Sequence, residues 1–477
     1  MKKKDLKNHG INEAYLSEKL GRKVANFNIE KYDKGAELRA DFYRLNVSFE
    51  DGICDGDVVL FVKDFRYIPS VSGKIFRLTL SENKEILDEN ELDFLKFGTE
   101  RGIFTPTYYG DIKYENDVKH NLIIMENFDK SLEDKLLELG EKKLSASSEE
   151  EKLDIEKVAF DYLKRVIDIA LINDNLATKS YRTHEPPSGL RRVYKLTEEM
   201  LREDIISSIN GLVTYKLGKI DEERPVENVI GSVLAWSKKY DYSDSFNGLN
   251  DFIIKPLVRD LIGIEDIENG KGKLVNLNLH PSQVLIKEKS LEKYNPEEYD
   301  SDAILSLKEG RKTTLSSIKP NGFESTQYDG LAITDNNKIG YGSSVMDASL
   351  INHISVFNVL SRDRLEQLKY HLLIQEEKLK RGQEFHLEDF SPAERKDLDE
   401  KYAAASRWAW LRGINYISWL KLKHPKNAER LETQIPIYNP EKYINCAIDY
   451  FTGLEDTLTQ YFGKVNEGIR ALKFNQG

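Results

Sequence analysis

The hydrophobic pattern of this chain changes period once, near Lys130, and that change restricts the folds open to it. From about Asn28 to Phe128 the pattern is strand-like. Phe42 to Phe49 alternates loosely, while Val58-Val59-Leu60-Phe61-Val62 and Leu122-Ile123-Ile124-Met125 are apolar runs of strand length. Between the last two lies Ser81 to Gly98, where Ile86, Leu92, Phe94, Leu95 and Phe97 fit one helix with an acidic opposite side, closed by Gly98. One helix inserted in an antiparallel sheet signals an α+β fold. After Lys130, Ile155, Val158, Ala159, Tyr162, Leu163, Val166, Ile169 and Ala170 recur at three- and four-residue steps, so the second half is expected to be mainly helical. The expected organisation is a sheet lobe with one inserted helix over residues 1–128, followed by a mainly helical lobe over 129–477.

Local signals subdivide the helical half. Ser145-Ala146-Ser147-Ser148 before Glu149-Glu150-Glu151 reads as a loop feeding an acid-rich helix start, as the helix dipole favours. Pro186 and Pro187 place Thr183 to Gly189 in a turn or loop. Val284-Leu285-Ile286 and Gly330 to Thr334 are short strand-like pieces, and the polar stretch 287–327 between them reads as an insertion, expected to be a mobile or partner-binding flap. Ser391-Pro392-Ala393-Glu394 is a capping box with proline at the first helical position. Tyr402 to Leu422 carries Trp408, Trp410 and Trp419 at helical spacing, and these helices are expected to close the core.

Composition excludes several classes of function. The 477 residues allow two or three domains at about 150 residues each, and 40% hydrophobic content argues against wholesale disorder. Lys+Arg total 70 against Asp+Glu 81, a net charge of -11, which gives no bulk reason to bind nucleic acid. Cys54 and Cys446 form neither a disulfide framework nor a zinc spacing. No apolar run approaches the ~20 residues of a membrane span, and the basic start lacks a signal-peptide core. A cytoplasmic location without membrane or nucleic-acid partners is the expectation.

The chemistry-bearing segment is Leu274-Val275-Asn276-Leu277-Asn278-Leu279-His280-Pro281-Ser282-Gln283-Val284-Leu285-Ile286, followed by Ile333-Thr334-Asp335, then Gly342 and Asp347. In order and spacing this set resembles the aminoglycoside-phosphotransferase and choline-kinase branch of the protein-kinase-like fold. The resemblance implies a two-lobed molecule that uses ATP and Mg²⁺. It places Lys63, in Val59-Leu60-Phe61-Val62-Lys63, on the phosphates and Glu91 as its ion-pair partner. Met125-Glu126-Asn127 resembles the hinge that holds adenine, and Gly35 begins the phosphate-covering turn. Asn278 stands at the catalytic carboxylate position, Gln283 and Asp335 at the metal positions, and His280 and Asp347 brace the loop. Taken singly, Lys63 is a snorkelling strand lysine and Glu91 a helix-surface acid, so the reading rests on the set.

Phosphoryl transfer needs metal-bridging oxygens, a cation on the phosphates and a group that orients the attacking hydroxyl. Asn278 is a neutral amide and takes no proton at ordinary pH, so the general base, typically ~10²–10⁴ in rate, is missing. Asn276 and Leu277 replace the family's histidine and glycine, Gln283 adds a methylene to its asparagine, and Phe61 projects on the face of Lys63 toward the adenine position. Two functional readings follow, with a helical scaffold that has no site as a third. In one the protein is catalytically impaired, pseudokinase-like, and binds a small-molecule ligand or a protein partner. In the other it is a working ATP- and Mg²⁺-dependent phosphotransferase on a small hydroxylated or amino-bearing molecule.

Overall fold

The computed structural model describes residues 10–32, 40–50, 58–67, 84–115, 119–182, 194–195, 273–276, 279–291, 299–307, 327–334, 339–342 and most of 350–409. Gly35, Leu277, Asn278, Asp335, Asp347, the turn Thr183 to Gly189 and the tryptophans at 408, 410 and 419 lie outside them.

The strand-like first half forms β1 (Val24–Lys31), β2 (Ala40–Phe49), β3 (Val58–Tyr67), β4 (Tyr108–Glu115) and β5 (Lys119–Glu126). They pair as an antiparallel five-stranded sheet in the order β1-β2-β3-β5-β4. Period-two alternation sends Tyr43, Leu45, Val47, Leu60, Val62, Leu122 and Ile124 to one face, where Ile11, Leu16 and Leu20 complete a core. Leu16 and Leu20 belong to α1 (Glu13–Leu20), which precedes the sheet and was not anticipated from sequence. Asn12 caps it, accepting from Tyr15 N–H at 2.9 Å, and Gly21 ends it at φ 65°.

The opposite face receives the inserted helix, α2 (Lys84–Arg101). Its apolar residues serve two neighbours: Leu92 and Leu95 pack with Phe65, Ile123 and Met125 of the sheet, while Phe94 and Phe97 enter the core of the helical lobe. Gly98 does not close the helix as expected, for α2 runs on to Arg101 and Gly102 takes positive φ just beyond it. The reason for glycine at 98 is contact, because a Cβ there would stand 2.2 Å from Thr105 Oγ1.

After β5, β6 (Lys130–Ser131) leads into α3 (Leu132–Ser145), capped by the reciprocal Ser131 and Asp134 pair. α4 (Glu149–Arg182) is the long periodic helix, buried on nearly all sides from Arg165 to Thr178, and it forms the centre of the helical core. Val158, part of the expected apolar stripe, is exposed. α5 (Arg362–Arg381) packs on α4, starting at the Ser361 cap and ending at Gly382 with φ 70°. The Ser391 and Glu394 capping box forms as expected at the head of a helix over 392–403. Two small sheets lie against these helices. One joins β6, β9 (Val284–Ile286) and β10 (Leu331–Ile333) in the order β10-β9-β6, and the other joins β7 (Tyr194–Lys195), β8 (Lys273–Asn276) and β11 (Ile339–Gly342) in the order β7-β11-β8. The molecule is therefore α+β, with a sheet lobe and a helical lobe. Among the described residues no helix is long and apolar enough to cross a membrane.

Of the polar stretch between β9 and β10, expected to be a mobile or partner-binding flap, residues 299–307 are docked, with Ile304 fully buried in the helical core, while 292–298 and 308–326 lie outside the described residues.

Candidate functional site

Strand β3 alternates, so Phe61, Lys63 and Phe65 share the face that meets α2. There the Lys63 ammonium contacts both oxygens of Glu91, at 3.0 and 3.1 Å. Lys63 is 5% and Glu91 1% exposed. The surface-acid reading of Glu91 is thus replaced by a buried, bidentate ion pair. The ammonium also lies 4.7 Å from the Phe65 ring centroid and 5.9 Å from that of Phe42. Water is largely excluded from the pair, so loss of either partner strands a charge and costs about 3–5 kcal/mol.

Phe61 is half-buried on the same face, tilted on Phe42 at a centroid distance of 5.4 Å and edge-on to Tyr32 at 6.0 Å. Its cross-strand neighbour on β5 is Met125. An aromatic cluster therefore occupies the face beside the clamp, two residues from its lysine.

Glu126, at the position expected for the hinge, ends β5. Its Oε2 accepts from Thr107 N–H at 3.1 Å and Thr107 Oγ1 at 2.8 Å, and its Oε1 pairs with Lys287. Burial works against its charge, but the Lys287 ammonium and the Thr107 donors outweigh that and hold the carboxyl below its ordinary range. Because the folded value is depressed, this contribution is present at neutral pH and is lost as pH falls through that value. Neither Thr107 nor Lys287 carried a sequence signal, since each meets Glu126 only through the tertiary fold.

The candidate loop begins at β8, whose Asn276 is buried and opposes Ile339 of β11. Leu279, buried, and His280 follow; then Pro281–Gln283 makes one tight helical turn. His280 Nδ1 and Ser282 Oγ are hydrogen-bonded at 2.8 Å, consistent with a bracing histidine. Gln283 is 2% exposed, and its Oε1 accepts from His280 N–H at 3.3 Å. Its backbone oxygen accepts from Thr334 N–H at 2.8 Å, so the two motif segments are brought side by side immediately before Asp335.

These residues can be weighed against Mg²⁺ and a nucleotide. For the phosphates the candidate cation is the Lys63 ammonium, which is shared with both Glu91 oxygens. For the metal, the described residues offer the Gln283 carbonyl, already engaged within its own turn, and no group of His, Cys, Asp or Glu able to hold an ion. Magnesium favours carboxylate oxygens in a strict octahedron. Asp335, the carboxylate of the motif, lies outside the described residues, as does Asn278.

No family model matches the sequence, and no curated protein does. Among solved structures, the chain is similar over 91% of its length to a candidate aminoglycoside phosphotransferase of Ralstonia eutropha, at 9% identity, 97% coverage of that chain and TM-score 0.39. It is similar over 91% of its length to APH(2")-IIia, solved with GDP and kanamycin, at 10% identity, 98% coverage and TM-score 0.37. A candidate fructosamine-3-kinase of Haemophilus somnus aligns over 83% of this chain and 96% of its own, at 9% identity and TM-score 0.29.

Proposed function

We propose that this chain is a kinase-like protein that keeps a phosphate clamp and has an impaired transfer loop, so that it binds a nucleotide or a partner in preference to turning substrate over. The observation that carries the reading is the buried bidentate pair of Lys63 and Glu91, a costly arrangement that a plain scaffold has no need of. Impairment is supported by Asn278, which supplies no general base, and by the inward-turned Gln283. When bound, ATP with Mg²⁺ would bring the transferable phosphoryl group. Lys63 would neutralise its phosphates, Glu91 would hold that ammonium in place, and Gln283 and Asp335 are the candidate oxygen donors to the metal. The second reading, an active phosphotransferase, uses the same residues with a small hydroxylated or amino-bearing acceptor.

Calorimetric titration with Mg-ATP tests binding, comparing wild type with the paired substitution Lys63→Met/Glu91→Leu, which removes the clamp without stranding a charge. Weak binding in wild type that is lost in the pair supports the proposal, while equal binding in both refutes a clamp role. ATP turnover over hydroxylated and amino-bearing acceptors separates the two readings. Measurable wild-type transfer that is lost on Asp335→Ala establishes the active enzyme, whereas no transfer, even after Asn278→Asp, supports impairment.

A further inference from the structure

The segment between β9 and β10 is tied to both lobes by residues of different kinds. At its root, Lys287 pairs with Glu126 at the end of β5 and lies 5.1 Å from the Phe128 ring centroid. The next residue, Glu288, pairs with Lys130 and Lys135, each at 2.9 Å, and its N–H donates to Asp129 Oδ2 at 2.9 Å. The root therefore meets Glu126, Phe128, Asp129 and Lys130, one after another along the hinge.

Farther on, the segment is fastened to the helical lobe. Asp168 of α4, fully buried, accepts from Tyr299 Oη at 2.8 Å and Tyr328 Oη at 2.9 Å, and its other oxygen meets His371 Nε2 of α5 at 2.8 Å. Gln327 closes the segment on itself through paired 2.8 Å bonds with the Asp300 backbone. Lys378 of α5 holds Ser301 and Asp302. Lys287 N–H donates to Gly330 O at 2.8 Å, so entry and exit are adjacent. The exit strand β10 then delivers Thr334 to Gln283.

We propose that residues 287–291, 299–307 and 327–330 act as a brace between the lobes, with Lys287 a positioning residue for the hinge at Glu126 and Asp168 the anchor on the helical lobe. The two ends differ physically. The Lys287 and Glu126 side chains are 34% and 25% exposed, so salt screens the hinge contact, while the water-free Asp168 anchor is insensitive to it. The brace fixes the hinge relative to β9, which follows the candidate loop, and β10, which pairs with β9 and leads to Thr334. Its effect on ligand affinity rests on the kinase-like reading above; its effect on the hinge does not.

Hydrogen exchange on the full chain tests it, with wild type, Lys287→Met, Lys287→Arg and Tyr328→Phe compared at low and high salt. Lys287→Met is expected to speed exchange of the amides at 125–131 about two- to fivefold at low salt, leaving α4 unchanged, with Lys287→Arg restoring protection. Tyr328→Phe should speed exchange over 299–307 about tenfold and, through the brace, loosen the hinge as well. Wild-type exchange at 125–131 in Lys287→Met, or an equal rise in α4, overturns the proposal. Mg-ATP titration on the same variants adds the ligand arm. Absence of binding in all of them counts against the nucleotide reading, and the exchange result still judges the brace.

Discussion

Glu91 lies in the sheet lobe at 1% exposure and Asp168 in the helical lobe at 0%, and each must be satisfied without water. Glu91 is met by a full charge, the Lys63 ammonium. Asp168 is met by two phenolic hydroxyls and an imidazole, with the Lys164 ammonium 3.7 Å from the Tyr299 ring centroid. A close pair of opposite full charges loses most when one member is removed, because the other keeps its charge where water is largely shut out. A shared carboxylate makes a distributed knot, in which each donor is worth an ordinary hydrogen bond. The first arrangement suits a site that must present a cation; the second suits an anchor that joins segments from distant parts of the chain. Glu133, on α3, shows a third solution. Burial, followed by the neighbouring Asp134 charge, pushes its carboxyl up to about 7, so it stays neutral in mild acid.

The contrast can be broken at its strongest point first. Lys63→Met alone should lose about 3–5 kcal/mol in urea unfolding, and Lys63→Met/Glu91→Leu should recover most of it. Equal loss in both variants would mean that the pair contributes packing and not charge.

Asp168→Ala comes next, at about 3 kcal/mol, because it orphans several donors at once, whereas Tyr299→Phe or Tyr328→Phe should each cost about 1 kcal/mol. Burial, and after it the Asp168 charge, push both phenols up from their ordinary range. The folded state thus holds phenolic protons that the unfolded chain releases near pH 10, so stability is intact below about pH 10 and falls above it. Denaturation at alkaline pH should show this fall in wild type and a shallower one in Tyr328→Phe. Identical profiles would place the titration elsewhere.

The smallest effect distinguishes the neutralised carboxylate from the paired ones. Glu133 binds a proton more tightly folded than unfolded, so its contribution weakens as pH rises from about 4.3 toward 7. Glu133→Gln should therefore stabilise the protein by about 1 kcal/mol at pH 8, the helix dipole offsetting part of the burial cost, and change little at pH 4. Stabilisation of the same size at both pH values would show that charge is not the cause.

Much of the scaffold was legible from local patterns. Loose alternation found β2, apolar runs of strand length found β3 and β5, three- and four-residue steps found α4, and the Ser391 capping box marked its helix, because these signals lie within one element. The sequence by itself also placed Lys63 on a strand and Glu91 on a helix, and it determined that position 278 carries no carboxylate. It did not show that Glu91 faces inward, because the helix is acidic along that side and only packing against β3 selects one acid among several. Gly98 was misread as a stop for the same reason, since its neighbour Thr105 is supplied by the following loop. The Asp168 knot left no sequence trace at all. Its partners stand 131, 160 and 203 residues away, and their convergence was decided by the docking of α5 and the β9–β10 segment against α4, where a buried carboxylate must find donors wherever the fold brings them.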